Sequence, residues 1–267
     1  MIEPIAHHLV LRLAGNRVIA RTDGDLRAAA GAVLAQGRKR GLLAFRFADT
    51  HLHAVVTGTR AEAGAFARYV AAALHFRLAL GAPFDRAHYE PIVTQQHLHR
   101  AFFYVLRQRA HHTLATDAHH DGSSIQDLLG LRLVDRELPN RVRQWLPRLR
   151  RAELTAVLEL EADSSGVEPA WDLLSESAAA AVALRSVDGR SAPCVTARRA
   201  AVHVARGKVS TSMLGACLGI SMRRVQLHRT EPSDPSLIAA IRRQLQHRSA
   251  VSRQLSATAD GLTADAA

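Results

Sequence analysis

The sequence contains few of the residues on which several common protein classes depend. Its two cysteines, Cys194 and Cys217, are too few for a disulfide framework or a four-thiolate zinc site. Aromatic residues make up only 4% of the chain, which excludes an aromatic-rich binding module. No apolar run approaches the ~20 residues that a membrane-spanning helix needs. With 48% hydrophobic residues, the 267-residue chain still suffices for one large core or two smaller ones.

Several catalytic and targeting signatures are also missing. The chain has no glycine-rich phosphate loop of the Walker type, no Gly-x-Ser-x-Gly nucleophile elbow and no Cys-x-x-Cys pair. Residues 1–4 lack the basic and apolar blocks of a signal peptide. We therefore expect a soluble, cytoplasmic protein with no membrane partner.

Lysine is scarce, arginine is abundant, and the basic charge is unevenly distributed. The net charge is +11, and segments 1–112, 113–192 and 193–267 carry +8, −4 and +7. Two basic segments separated by an acidic one indicate two polyanion-binding units joined by a spacer. The planar guanidinium of arginine suits bidentate phosphate contacts, although a GC-rich genome would also favour arginine codons.

Hydrophobic periodicity predicts an α+β fold for residues 1–112. The predicted strands are 8–13, Leu42–Ala48, His51–Thr57 and 89–93, and the predicted helices are 23–41, 60–80 and 95–112. This order predicts an antiparallel sheet with helices on one face. The rest of the chain is expected to be all-α, with a helical spacer over 113–192, a helical domain over 193–248 and a disordered tail over 249–267.

Two histidines, His51 and His53, are the first candidates for a site. Strand alternation puts both imidazoles on one face and Leu52 on the other. Two histidines so placed can ligate one divalent cation. The chain has 15 histidines, so ordinary surface imidazoles remain the alternative.

The predicted helix 95–112 carries Tyr104 and Gln108 on its polar face. Because they are four residues apart, they lie close together around the helix. Arg100 and Arg107 flank the tyrosine. A tyrosine among apolar residues is by default a core aromatic, but these helical neighbours are polar and basic, so we expect Tyr104 to face a charged surface or groove.

In this order and spacing, the motifs resemble the HUH single-tyrosine transposases, in particular the REP-associated tyrosine transposase (RAYT) group. The similarity covers residues 6–112 and rests on His8 to Arg12, Gly15 to Ile19, Asp23 to Asp25, Thr50 to Val56 and Tyr104 to Gln108. It implies a ferredoxin-like sheet of the HUH endonuclease type. It also implies Tyr104 as the catalytic nucleophile and His51, His53 and Gln108 as ligands of Mg²⁺ or Mn²⁺.

The implied function is transposition: nicking and rejoining of hairpin-forming single-stranded DNA through a 5′-phosphotyrosine intermediate. A phenol has a pKa near 10 and needs help to attack phosphorus, which a bound divalent cation would supply. Four arginines would contact the DNA, namely Arg12, Arg17, Arg100 and Arg107. The protein would act as a monomer or a homodimer.

Residues 214–225 resemble a helix-turn-helix of the replication-initiator type. Gly215 would allow close helix approach, Gly219 would form the turn and Ser221 would cap the second helix. Three arginines of this region would reach phosphates or guanines of duplex DNA in the nucleoid: Arg223, Arg224 and Arg229. Any alanine-rich three-helix bundle can show the same spacing.

A DNA-binding function without catalysis is the alternative. Asp49 and Thr50 stand where the family commonly has Pro-Asn, and Gln108 and Arg109 stand where the RAYT group commonly has Asn-Pro. A glutamine at this position resembles the insertion-sequence branch, where it is the third metal ligand. With the added helix-turn-helix, these departures favour a domesticated, sequence-specific DNA-binding protein or regulator whose nicking site is inactive.

Overall fold

A computed structural model describes residues 3–111, 117–160 and 168–264 of the chain. They form two compact units, one from the described residues of Met1–Leu129 and Val134–Val157, the other from Gly130–Leu133 and the described residues of Leu158–Ala267. These boundaries differ from the predicted ones at 112 and 192, because the predicted spacer is divided between the two units. Among the described residues, no helix combines the length and the apolar character needed to span a membrane.

The first unit is an α+β structure built on one antiparallel sheet. Its strands are β1 (Ala6–Arg12), β2 (Leu42–Ala48), β3 (His51–Thr57) and β4 (His88–Ile92), in the order β2-β3-β1-β4. Its helices are α1 (Asp23–Gly37), α2 (Arg60–Leu78), α3 (Gln95–Leu106), α4 (Gln108–His111), α5 (Ile125–Leu128), α6 (Leu138–Trp145) and α7 (Arg151–Thr155). The predicted α+β class is confirmed, as are both strands of the β2–β3 hairpin.

Helices cover both faces of the sheet. Along β3, alternation directs His53 to one face and Leu52 to the other. Tyr104 of α3 is in ring contact with His53, whereas Arg60 of α2 stacks on Tyr89 of β4, on the Leu52 side. The expectation that helices lie on one face is therefore wrong. The physical reason is that α3, like α2, has an apolar side that must be buried. This side of α3 packs on the histidine face of the sheet.

Residues 117–124 cover the outer edge of β2 and bind it through backbone hydrogen bonds. Buried ion pairs reinforce this contact. Arg46 of β2 is 3.0 Å from Asp117, and Arg27 of α1 is 3.0 Å from Asp121. An open edge strand is a template for unwanted pairing, and this segment closes it. The first part of the predicted spacer therefore belongs to the sheet unit.

The buried pair predicts a pH-dependent stability. Burial raises the pKa of Asp117 to about 6; the Arg46 guanidinium opposes this effect, and the Asp121 carboxylate adds to it. As pH rises from about 4 to 6, the unfolded chain loses this proton before the folded protein does. The free energy of unfolding should therefore fall by about 3 kcal/mol at most across that range.

Asp117→Asn should remove this contribution, although it also lowers stability overall because Arg46 loses its anionic partner. Urea unfolding at about pH 4.5 and about pH 7 measures the difference. Asp85→Asn is the control, because Asp85 is exposed, and it should keep the parent's pH dependence. Equal pH dependence in the parent and Asp117→Asn would contradict the raised pKa.

The second unit is all-α. Its helices are α8 (Leu174–Ala181), α9 (Ala192–Val204), α10 (Thr211–Leu218), α11 (Met222–Thr230) and α12 (Pro235–Ala264). They share one apolar core, which includes Leu174, Ala201, Leu214, Val225 and Ile241. The prediction of a disordered tail from residue 249 is wrong for the described residues, since α12 continues to Ala264. Composition suggested disorder, but Ala250 and Val251 are buried.

The turn between α10 and α11 forms as predicted. Gly219 ends α10 in the left-handed region (φ 61°), and Ser221 caps α11 by accepting a hydrogen bond from the Arg224 amide. A Cβ atom on Gly215 would lie only 2.8 Å from the Ile220 carbonyl oxygen, so glycine allows the close approach. The two short helices are thus held in a fixed, tightly packed pair.

Candidate active site

Strand β3 brings two predicted site residues together on one face of the sheet. The ring centroids of His51 and His53 are 4.7 Å apart, and both side chains are largely buried. Thr50 Oγ1 lies 3.1 Å from His51 Nδ1 and holds that ring at the start of the strand. The predicted same-face pair is therefore present in the fold.

A third imidazole, that of His8, joins the pair from β1. His8 Nε2 is 3.0 Å from His53 Nδ1, and the two rings are stacked with centroids 5.3 Å apart. In the antiparallel register Val10 lies opposite His53, so His8 is its diagonal neighbour on the same face. Sequence reasoning did not propose His8 as a site residue, because only the strand register brings it beside His53.

The environment of His8 favours the neutral imidazole. Burial lowers the pKa of His8, the hydrogen bond and charge of Glu90 oppose this effect, and His88 and His97 lower the pKa further. The His8 Nδ1 to Glu90 Oε2 distance is 3.4 Å. At neutral pH, His8 and His53 are thus linked by a hydrogen bond in which one ring donates and the other accepts.

Helix α3 places Tyr104 over this cluster. Its ring centroid is 5.6 Å from that of His8 and 5.9 Å from that of His53, with both contacts edge-on. Tyr104 is 42% exposed, whereas Phe103 and Val105 on either side are buried. A solvent-accessible phenol beside buried imidazoles can meet a large substrate, and it lies at the polar surface expected for it.

Gln108 is fully buried one turn beyond Tyr104. The backbone leaves helical geometry at Arg107 (φ −91°, ψ 13°), so α3 ends at Leu106 and α4 begins at Gln108. Gln108 Nε2 donates to the Tyr104 carbonyl oxygen at 3.0 Å, which satisfies a carbonyl at the end of α3. The prediction of one unbroken helix over 95–112 is therefore wrong, and its last residue lies outside the described residues.

The donor atoms of this cluster suit Mn²⁺ better than Mg²⁺. Two adjacent imidazoles favour Mn²⁺, because Mg²⁺ prefers an all-oxygen shell. In the described part of the chain, no three His, Cys, Asp or Glu side chains form a group that could hold a metal. The third donor would have to be Gln108 Oε1, which is buried and has no hydrogen-bond partner among the described residues. The ligand set His51, His53 and Gln108 stays a prediction.

The arginines of residues 1–112 that were predicted to contact DNA are all exposed, namely Arg12, Arg17, Arg100 and Arg107. Arg107 lies over the Phe103 ring, 5.1 Å from its centroid. Arg12 donates to Asn16 at 3.4 Å, and Arg17 donates to the Gly81 carbonyl at 3.4 Å. These long, exposed contacts leave the guanidiniums available to an anionic ligand.

The three predicted arginines of α11 separate into two kinds. Arg223 and Arg224 are exposed near the start of the helix. Arg229 is partly buried and donates to Thr211 Oγ1 at 3.0 Å. Arg229 therefore contributes to the packing of α11 against α10, and the exposed pair is better placed to reach a ligand.

Comparison with known proteins does not assign this chain to a family. No protein-family model, no curated protein and no solved structure matches this chain.

The ligand assignment predicts that His51→Ala weakens Mn²⁺ binding. Loss of one donor should lower the affinity at least tenfold, since even the loss of an outer-shell partner costs a metal site 10- to 100-fold, roughly. Isothermal titration of the metal-free protein with Mn²⁺ measures the change. His75→Ala is the control, because His75 is exposed on α2, which lies on the opposite, Leu52 face of the sheet. Unchanged Mn²⁺ affinity in a folded His51→Ala protein would reject His51 as a ligand.

Proposed function

We propose that the chain is a metal-dependent transposase of the HUH tyrosine type that nicks and rejoins hairpin-forming single-stranded DNA. The observation that carries the proposal is the exposed Tyr104 ring against His8 and His53, with His51 beside them. The element order and the β2-β3-β1-β4 sheet support it, because they are compatible with the expected ferredoxin-like sheet. The RAYT group is the branch that the sequence resembles.

In the proposed reaction, Tyr104 Oη attacks the scissile phosphorus and the bond from phosphorus to the 3′ oxygen breaks. The products are a 5′-phosphotyrosine and a free 3′-hydroxyl, and attack by that hydroxyl in reverse rejoins the strand. The phenol must lose its proton, and because Tyr104 is 42% exposed, solvent water can accept that proton and supply one to the departing 3′ oxygen. A divalent cation bound by His51, His53 and Gln108 would offset charge on the phosphate.

Two arginines, one on α3 and one directly after its last residue, suit the positioning of that phosphate. Arg100 precedes Tyr104 by four residues and Arg107 follows it by three, and all three side chains are exposed. Guanidiniums form strong, directional hydrogen bonds with phosphate oxygens. The charge of +8 on residues 1–112 further favours binding of a polyanion.

The second unit would hold duplex DNA. The α10–α11 pair resembles a helix-turn-helix, and α11 would enter the major groove with its N-terminal end, where Arg223 and Arg224 are exposed. Binding through both units would associate the protein with the nucleoid. The exposed arginines of α11 also favour the second candidate function, a sequence-specific DNA-binding protein or regulator with an inactive nicking site. DNA binding by these arginines would not require the imidazole cluster.

Tyr104→Phe should abolish cleavage of labelled hairpin-forming single strands in the presence of Mn²⁺. The substitution removes the attacking oxygen and keeps the ring against His8 and His53. Denaturing gels compare the variant with the parent, and the expected loss is about 10³-fold or more, the scale on which removal of a nucleophile acts.

Tyr69→Phe is the matched control, because Tyr69 is also exposed but lies on α2, with its ring under Arg40. It should cut like the parent. If Tyr104→Phe and the parent cut equally, the tyrosine is not the nucleophile. If neither cuts while both bind hairpin DNA, the DNA-binding function replaces the enzymatic one.

A further inference from the structure

A groove of about 990 Å³ lies within the first unit, between α3 and the chain from α6 to α7. Its lining includes Trp145, Arg100, Arg148 and Arg150. Its volume is at the upper end of the range for ligand sites. One aromatic plane and three guanidiniums therefore share one open groove.

The groove begins close to the candidate nucleophile. Arg100, in its wall, lies four residues before Tyr104 on α3, so the two side chains project from the same side of the helix. The rise of 1.5 Å per residue separates them by about 6 Å along the helix axis. A strand whose phosphate reaches Tyr104 would thus pass the mouth of the groove.

The charges inside the groove favour a phosphate-containing ligand. Glu153 is the acidic residue of the lining, and it is 3.4 Å from Arg150 and 3.7 Å from His99. This carboxylate holds Arg150, and among the described residues of the groove neither Arg100 nor Arg148 has an anion of its own. Two such guanidiniums can pair with phosphates while a base stacks on the indole of Trp145.

We propose that this groove binds unpaired nucleotides of the DNA strand next to the cleaved bond, with a base stacked on Trp145 and phosphates held by Arg100 and Arg148. The proposal rests on the proposed function and names the part of the substrate that the groove recognises. Stacking on an aromatic ring accepts any base, because every base has a π-face. The groove would thus secure a single strand with little sequence preference.

The test uses the full-length protein and a labelled oligothymidylate of about 12 nucleotides, within the range that single-strand sites cover. Trp145→Ala should weaken binding about tenfold in fluorescence anisotropy, and Trp145→Phe, which keeps a ring, should stay within about threefold of the parent. Trp171→Phe is the control: Trp171 packs against the core of the second unit, the phenyl ring keeps that packing, and the protein should bind like the parent. A Trp145→Ala protein that binds like the parent overturns the proposal.

A second measurement does not depend on the stability of Trp145→Ala. In the Trp171→Phe protein, Trp145 is the single remaining tryptophan, and its fluorescence should be quenched by the oligothymidylate. An abasic strand with the same number of phosphates should bind this protein about tenfold more weakly, because it cannot stack. Equal binding of the two strands, or equal quenching by polyglutamate, would mean an anion or acidic-peptide site and overturn the proposal.

Both measurements record binding and not cleavage, so they separate this inference from the proposed function. Cleavage that needs Tyr104, combined with unchanged binding by Trp145→Ala, would reject the groove and leave the enzyme. Base-dependent quenching of Trp145 without any cleavage would retain the groove on a DNA-binding protein.

Discussion

The antiparallel register between β1 and β3 is the constraint on which the site depends. Because Val10 pairs with His53, His8 falls diagonally beside it, and alternation sends both rings to the face opposite Leu52. A slip of β3 by one residue would turn His51 and His53 toward the apolar core under α2 and separate them from His8. The same pairing that builds the sheet therefore also builds the cluster, and its polar atoms are partly satisfied by one another.

Helix α3 completes the site because it both packs on the sheet and presents polar side chains to solvent. Its apolar side packs on the histidine face of the sheet, and its polar side carries the exposed Tyr104 and Arg100. The break at Arg107 then turns Gln108 inward, where its amide binds the Tyr104 carbonyl. Packing, helix termination and the orientation of the phenol are thus linked, and a change in one of them affects the others.

Local pattern predicted much of this structure, and long-range pairing accounts for what it missed. The β2–β3 hairpin, the pair His51 and His53 and the Gly219 turn follow from alternation and turn chemistry over a few residues. The role of His8, the cover of β2 by the Asp117 segment and helices on both faces depend on residues far apart in sequence, which periodicity does not reveal. Composition likewise misjudged α12, because the burial of Ala250 and Val251 depends on the other helices.

The covalent state of Tyr104 after reaction with DNA tests the account most directly. Trypsin cuts after Arg100 and Arg107, so Tyr104 lies in the peptide Ala-Phe-Phe-Tyr-Val-Leu-Arg with no second tyrosine. Mass spectrometry of protein incubated with a hairpin substrate and Mn²⁺, then digested with nuclease and trypsin, should find a 5′-nucleotide joined to this peptide through its phenol. Nicked DNA without that adduct, or an adduct on the peptide of Tyr69 or Tyr89, would contradict the central claim.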